Sequence, residues 1–194
     1  MSLVELIAQA DERGLAASGL ACLDRCVPVL GGDDDLLRSL WARLAEGGDW
    51  GGPLAEARER LGSDSGASGL PGTSSEAAAL AWRMLDAVPV AYSGAEVREW
   101  ADGCSVAALQ VHRLLDTAPD DGARSVTSRR EGRTDGMTPL VAAELRRQIR
   151  ILELLANKSA GHTGSLRQAL DVSLEGRRVL RAVVSRRGRG KGRG

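Results

Sequence analysis

The feature that most constrains the fold is a pair of heptad patterns between residues 137 and 187. In each pattern the inward positions recur at alternating steps of four and three, which is the spacing of a coiled-coil seam. The first seam is Met137, Val141, Glu144, Gln148, Ile151 and Leu155, and the second is Leu166, Leu170, Ser173, Arg177, Leu180 and Val184. The polar, glycine-containing stretch 157–163 has the length of a turn between antiparallel helices. The patterns together predict a helical hairpin.

The predicted register of this hairpin puts one polar layer into an apolar seam. If the turn is centred between residues 160 and 161, Glu144 faces Arg177 and Gln148 faces Ser173, while the apolar positions face each other. We expect this layer to fix the register, as buried polar residues do in coiled coils. Alternatively Arg177, with Arg181 one turn further on, binds an anionic ligand or the carboxylate of a partner.

The rest of the chain also favours helices. Phe is absent and there is one Tyr, so the residues that favour strands are mostly missing, whereas Ala, Leu, Arg and Glu are abundant. A second hairpin is predicted over residues 73–115, because Val97, Ala101, Cys104, Ala108, Val111 and Leu115 form another seam. We therefore expect an all-α protein of about eight helices, arranged in antiparallel hairpins that form a helical bundle.

Stretches without apolar periodicity divide the chain into four parts. We predict an N-terminal helical segment at 1–61, a flexible linker at 62–72, a helical hairpin bundle at 73–187 with a mobile loop at 117–136, and a disordered Arg/Gly tail at 188–194. Within the first segment, Pro28 should end the second helix and residues 33–35 should open the third. Gly19 marks a point where another helix approaches closely.

The charge is split along the chain. Residues 1–136 hold 13 basic and 22 acidic side chains, and residues 137–194 hold 13 basic and 4 acidic ones. The basic tail, which contains Arg186, Arg187, Arg189, Lys191 and Arg193, could neutralise phosphates of nucleic acid without reading sequence. It could equally be a solubilising extension, because 24 of the 26 basic residues are Arg, a bias typical of GC-rich bacterial genomes. Aromatic residues for base stacking are not interleaved with it.

The candidate metal and catalytic residues do not form a recognisable set. Cys22 and Cys26 lie one helical turn apart, and Cys104 with His112 could complete a zinc site, but no CxxC or close His pair supports this. No phosphate-binding loop, dinucleotide fingerprint or catalytic triad pattern occurs. We expect no metal, no cofactor and no catalysis. The odd number of cysteines and the lack of a signal-peptide pattern favour a cytoplasmic location.

These patterns predict a non-catalytic helical interaction or scaffold protein that binds a protein partner or forms a homo-oligomer, with non-specific nucleic-acid contact through its tail and no membrane association. The alternative is a small-molecule-binding regulatory protein with a pocket among the fifth to eighth predicted helices, lined by Trp82, Met84, Trp100 and Arg177. A pocket of several hundred cubic ångströms beside an unpaired Arg177 would favour a ligand. A closed core under an exposed apolar stripe would favour a partner.

Overall fold

The structure, a computed structural model, describes residues 1–64, 74–90, 94–117, 126–157 and 161–191. All regular secondary structure in these residues is helical, which confirms the all-α prediction. The helices are α1 Leu3–Gln9, α2 Glu12–Leu30, α3 Arg38–Glu46, α4 Gly51–Asp64, α5 Ser75–Asp86, α6 Gly94–Leu115, α7 Val126–Arg130, α8 Pro139–Ala156 and α9 Gly161–Lys191. Eight of them correspond to predicted helices, and α7 is additional.

Helix α2 lies at the centre of the fold. Every residue from Gly14 to Val29 is buried, and the helix packs against α5, α6, α8 and α9. A helix enclosed on all sides is expected to be apolar all round. Helix α2 departs from this pattern at Ser18, which is polar, and most strongly at Asp24 and Arg25, which are charged and buried. The predicted pairs α5 with α6 and α8 with α9 do pack together, and both contact this central helix.

Small side chains let the helices approach α2 closely. A Cβ atom at Gly19 would lie 2.5 Å from a ring atom of Trp100 on α6, so the predicted close approach at Gly19 is confirmed. The same Trp100 donates from Nε1 to the carbonyl oxygen of Met84 at 2.9 Å. Its ring also meets the ring of Trp50 edge to face, at a centroid distance of 5.8 Å. Trp100 therefore ties α2, α5 and the start of α4 to α6.

Two predicted helix boundaries in the first segment are wrong. Helix α2 continues through Pro28 to Leu30 and ends at Gly31, which has a left-handed backbone with φ 77°. A proline in the last turn removes only one hydrogen bond of the helix, and the complete burial of α2 holds that turn in place. Helix α3 begins at Arg38, because residues 33–35 form a turn in which Asp33 Oδ1 accepts from the Asp35 amide at 3.0 Å.

The predicted linker and mobile loop are partly outside the described residues. Helix α4 extends to Asp64, into the predicted linker 62–72, and the remainder of that linker is not described. Of the predicted loop 117–136, residues 118–125 are not described, whereas residues 126–130 form α7. Arg129 and Arg130 of α7 are buried, and Arg130 forms an ion pair with Asp102 of α6. This part of the loop is therefore packed against the bundle.

The predicted disordered tail at 188–194 is wrong as far as Lys191, because α9 continues to that residue. Arginine is a good helix former, and Arg189 Nη1 donates to Ser185 Oγ at 2.9 Å within the helix. Arg187 Nη1 donates to the carbonyl oxygen of Leu115 at 3.1 Å, which fastens the end of α9 to the end of α6. Residues 192–194 are outside the described part of the chain.

Candidate functional site

A buried ion pair occupies the centre of the bundle. Arg25 of α2 donates from Nε to Glu144 Oε2 at 2.8 Å and from Nη2 to Glu144 Oε1 at 2.6 Å, and neither side chain is exposed. Burial alone would raise the pKa of Glu144, but the guanidinium of Arg25 outweighs it and lowers the pKa to about 2. Glu144 is therefore ionised, and the pair joins α2 to α8.

Three further side chains complete the surroundings of Glu144. Gln148 Nε2 donates to Glu144 Oε1 at 2.9 Å, and Ser105 Oγ donates to Gln148 Oε1 at 2.6 Å. His112 Nδ1 lies 2.7 Å from the carbonyl oxygen of Ala108, so Nδ1 carries the proton, and its Nε2 lies 3.5 Å from Glu144 Oε2. Burial lowers the pKa of His112, although Glu144 acts in the opposite direction. The imidazole is therefore neutral, and this network is fully enclosed.

A second buried pair joins α2 to α9. Arg177 Nη1 donates to Asp24 Oδ1 at 2.8 Å, and Ser173 Oγ donates to Asp24 Oδ2 at 2.8 Å. Asp34, which lies in the turn before α3, places Oδ1 3.3 Å from Arg177 Nε and 2.6 Å from Arg181 Nη1. Burial raises the pKa of Asp24 above its usual value, although Arg177 and Ser173 act in the opposite direction.

The predicted polar layer is thus present, but its pairing is wrong. Glu144, Gln148, Ser173 and Arg177 are all buried, as expected for a layer inside the core. Glu144 pairs with Arg25 and Arg177 pairs with Asp24, however, because α2 supplies a partner to each of the two helices. The sequence contained a signal for this arrangement, since Asp24 and Arg25 are the only adjacent charges inside an otherwise apolar stretch from Leu15 to Leu30.

A cavity of about 520 Å³ lies beside the second pair, between α3 and α9. Its apolar walls are Trp41 on α3 and Leu166, Leu170 and Leu174 on α9. The volume arises because α3 presents the small side chains of Ala42 and Ala45 toward this space, where a larger residue would fill it.

Two donors in the cavity lining are buried and make no hydrogen bond. One is Nε1 of Trp41, a residue that is only 7% exposed, and the other is Nε of Arg177. The 3.3 Å contact of Arg177 Nε with Asp34 is an ion pair whose geometry is not that of a hydrogen bond. Most buried polar groups in proteins have a hydrogen-bond partner, so these two donors are exceptions among the residues of the lining.

Some charged side chains around the cavity form ion pairs and others do not. The carboxylates of Asp24 and Asp35 pair with Arg177 and Arg38, respectively. Arg167 and Arg178 also line the cavity, and within the described part of the chain neither forms an ion pair. The lining as a whole holds four Arg and three Asp side chains, so its net charge is positive.

In the described part of the chain, Trp82, Met84, Trp100 and Arg177 are not brought together in one of the cavities seen. Met84 and Trp100 line a different cavity, of about 1070 Å³, between α5 and α6. Arg177 lines the cavity between α3 and α9, and Trp82 lines neither of the two. The α3 wall of the cavity between α3 and α9 belongs to the segment 1–61, in which the sequence patterns predict no pocket.

The cysteines and His112 do not converge on a metal. Burial raises the pKa of the Cys22 thiol to about 12, and Cys26 and Cys104 are equally buried. His112 contacts Ala108 and Glu144. Across the described ranges, no three His, Cys, Asp or Glu side chains are placed to hold a metal ion together.

The basic residues of the predicted tail are distributed over the last turns of α9. Arg186 and Arg189 are exposed, and Arg187 is half-buried against the end of α6. Lys191 is the last residue of α9, while its side chain and the whole of Arg193 are outside the described part.

Comparison with protein-family models, with curated proteins and with solved structures found no match to this chain. Of the helices described, none combines the length and the hydropathy needed to cross a membrane.

Proposed function

We propose that this protein binds a small molecule that is mainly apolar and carries a hydrogen-bond acceptor, and that it does so in the cavity between α3 and α9 without chemical conversion. One observation carries the proposal: Trp41 lines this cavity, and its indole Nε1 is buried and makes no hydrogen bond. A buried donor without a partner costs about 1 to 3 kcal/mol, and a ligand oxygen would remove that cost.

The dimensions and walls of the cavity support the proposal. Its volume of about 520 Å³ lies within the range of about 300 to 1,000 Å³ that is usual for small-molecule sites. Leucine side chains and an indole ring form its apolar walls, and charged side chains lie both near Arg177 and, with Arg167, beside Leu166. This combination of apolar walls and polar groups is typical of binding sites that select by shape and orientation.

Binding is favoured over catalysis because two of the three carboxylates that line the cavity, those of Asp24 and Asp35, already have partners. Asp24 is held by Arg177 and Ser173, and Asp35 is held by Arg38. A general base must be free to accept a proton from a substrate. These two carboxylates instead serve to position arginine side chains.

Association with a protein partner or with a second copy stays a prediction. Among the described residues, the large apolar side chains that are exposed are Met1, Val4, Val90 and Val179. Met1 and Val4 lie at the start of the chain, Val90 follows α5 and Val179 lies on α9. A large apolar interface would require a continuous apolar surface. Light scattering of the purified protein measures this association directly.

Non-specific nucleic-acid contact also stays a proposal, and its support is the helical end of α9. Arg186 and Arg189 are exposed there, three residues apart on an ordered helix. Arginine side chains on such a surface can neutralise phosphates without reading sequence.

The test of ligand binding uses prodan, a neutral naphthalene ketone whose emission depends on the polarity of its surroundings. The variant Ala42→Phe puts a phenyl ring into the cavity, and Ala55→Phe makes the same change at an exposed position of α4. We expect saturable binding by the wild type and by Ala55→Phe, and binding at least about tenfold weaker by Ala42→Phe.

The variant Trp41→Phe separates the hydrogen bond from the apolar contact. It should weaken the binding of prodan, which has a carbonyl acceptor, more than the binding of naphthalene, which has none. Equal binding of prodan by Ala42→Phe and by Ala55→Phe would contradict the proposal.

A further inference from the structure

We propose that the ligand of the cavity between α3 and α9 is a carboxylic acid with an apolar body, and that its carboxylate takes the place of Asp34 on the guanidinium groups of Arg177 and Arg181. This inference rests on the proposed function and specifies its ligand.

The guanidinium of Arg177 has a donor that makes no hydrogen bond. Its Nη1 is committed to Asp24, but its buried Nε makes no hydrogen bond although Asp34 Oδ1 lies 3.3 Å away. Arginine binds a carboxylate most strongly when two parallel hydrogen bonds form. Asp34 does not reach that geometry on Arg177, and a carboxylate that enters from the cavity is not restricted by the backbone of the turn.

The carboxylate of Asp34 can be displaced from Arg177 and Arg181. Its side chain is 60% exposed, and the same oxygen is shared between Arg177 and Arg181. It lies in the turn between α2 and α3, outside any helix. Exposed ion pairs contribute little stability because water replaces the lost contact. The exchange conserves charge at the site, since one carboxylate moves into water as another arrives.

The other charged groups at the cavity favour an anion. The carboxylates of Asp24 and Asp35 are neutralised by their own arginine partners. Arg167 and Arg178 line the cavity without an ion pair in the described residues, so they add positive potential to its lining. Positive potential in a cleft with apolar walls raises the local concentration of anions.

The apolar walls then receive the body of the acid. Leu174, Leu170 and Leu166 follow one another along α9 from the end near Arg177, and together with Trp41 they form a continuous apolar surface. Each methylene of the ligand that is buried there should strengthen binding about fourfold, until the cavity is full. A molecule with a carboxylate at one end and a hydrocarbon chain at the other fits this order of groups.

The experiment compares decanoate with decanol by displacement of prodan, both below their aggregation concentrations. The wild type should bind decanoate more tightly than decanol. The variant Asp34→Asn removes the competing carboxylate, so it should bind decanoate about two- to fivefold more tightly and decanol unchanged. Asp33→Asn is the matched control, because Asp33 is also exposed but pairs with Arg60 and does not line the cavity.

A second variant, Arg181→Gln, tests the same site, and its expected effect on decanoate binding is opposite to that of Asp34→Asn. It should weaken the binding of decanoate and leave the binding of decanol unchanged, and circular dichroism checks that each variant is folded. Equal affinity of the wild type for decanoate and decanol, with no effect of Asp34→Asn, would overturn the inference. The proposed function would still stand in that case, because it requires only that prodan binds in the cavity.

Discussion

Arg25 and Glu144 are joined by two hydrogen bonds at complete burial, and the preceding residue on the same helix, Asp24, makes the opposite pairing with Arg177. Helix α2 thus presents a base to α8 and an acid to α9. If α8 and α9 exchanged places around α2, like charges would meet at both positions. Buried pairs add little net stability because desolvation is costly, so we infer that this arrangement specifies which helix packs on which side.

Removal of one partner of the central pair should be strongly destabilising. In Glu144→Leu the guanidinium of Arg25 is left buried without a counter-charge, so we expect a loss of about 3 to 5 kcal/mol in the free energy of unfolding. Urea or guanidinium denaturation followed by circular dichroism measures it.

Two comparisons show whether the loss comes from the orphaned arginine. The double variant Arg25→Met with Glu144→Leu should be less destabilised than Glu144→Leu alone. Glu153→Gln removes a carboxylate that lies 3.9 Å from Arg150 on the surface of α8, and it should change stability by less than about 1 kcal/mol. A double variant less stable than Glu144→Leu would show that the buried pair itself is worth more than its desolvation costs.

Stability should fall as the pH decreases below neutrality. The pKa of His112 is lowered by burial, so the stability it contributes is complete above its unfolded value of about 6.5 and is lost as the pH falls below that. Although burial alone would raise the pKa of Glu144, Arg25 lowers it to about 2. The stability that the ionised Glu144 contributes is therefore lost as the pH falls below about 4.5. Asp24, whose pKa is raised by burial, acts in the opposite sense.

The variant His112→Gln separates these contributions. Between pH 7 and pH 5 its denaturation midpoint should change less than that of the wild type, because the neutral imidazole no longer has to take up a proton on unfolding. Below about pH 4.5 both proteins should lose stability together. Parallel midpoints over the upper range would show that His112 is not the group responsible.

Two glycines inside helices should respond oppositely to the same substitution. A Cβ at Gly19 would lie 2.5 Å from the ring of Trp100, so Gly19→Ala should destabilise by about 1 to 3 kcal/mol. A Cβ at Gly103 of α6 would meet nothing within 4 Å, so Gly103→Ala should stabilise by about 0.5 to 1 kcal/mol through the lower entropy of the unfolded chain. Thermal denaturation of both variants decides this, and a stabilised Gly19→Ala would contradict the packing of α2 on α6.

Sequence periodicity was sufficient to predict the helical class and the amphipathic helices. The start of α8 at Thr138 and Pro139 was also predictable, because a proline in the first helical turn lacks only an amide hydrogen that the helix does not use. The central place of α2 was not predictable in this way, since burial on all sides leaves no amphipathic stripe to detect. The sequence predicted Gly19 as a contact point, but it did not predict that α5, α6, α8 and α9 pack around α2.

The cavity was beyond prediction from sequence for a different reason. It exists because Ala42 and Ala45 face α9, and this depends on how α3 is held against α9 through the turn that contains Asp34. The missing partner of Trp41 Nε1 is likewise a property of the packed structure. Sequence alone indicated Arg177 as a candidate residue, but it placed Arg177 with the wrong partner and in the wrong pocket.

The basic end of α9 makes a separate prediction about nucleic acid. Truncation after Ser185 removes Arg186, Arg187, Arg189, Lys191 and Arg193. The truncated chain should remain folded, because Val184 is the last apolar residue of α9 that is buried. If these side chains contact phosphates, the full chain should bind duplex DNA with an affinity that falls as salt increases, and truncation should abolish the binding.

A charge-matched comparison distinguishes a defined surface from general attraction. Arg186 and Arg189 are exposed on the last turns of α9, while Arg146 and Arg150 are exposed on α8. The double variant Arg186→Gln with Arg189→Gln should reduce the salt dependence of binding by about two counterions, and Arg146→Gln with Arg150→Gln should leave it unchanged. Equal losses in both variants would mean that binding follows net charge alone, and the end of α9 would then have no special role in it.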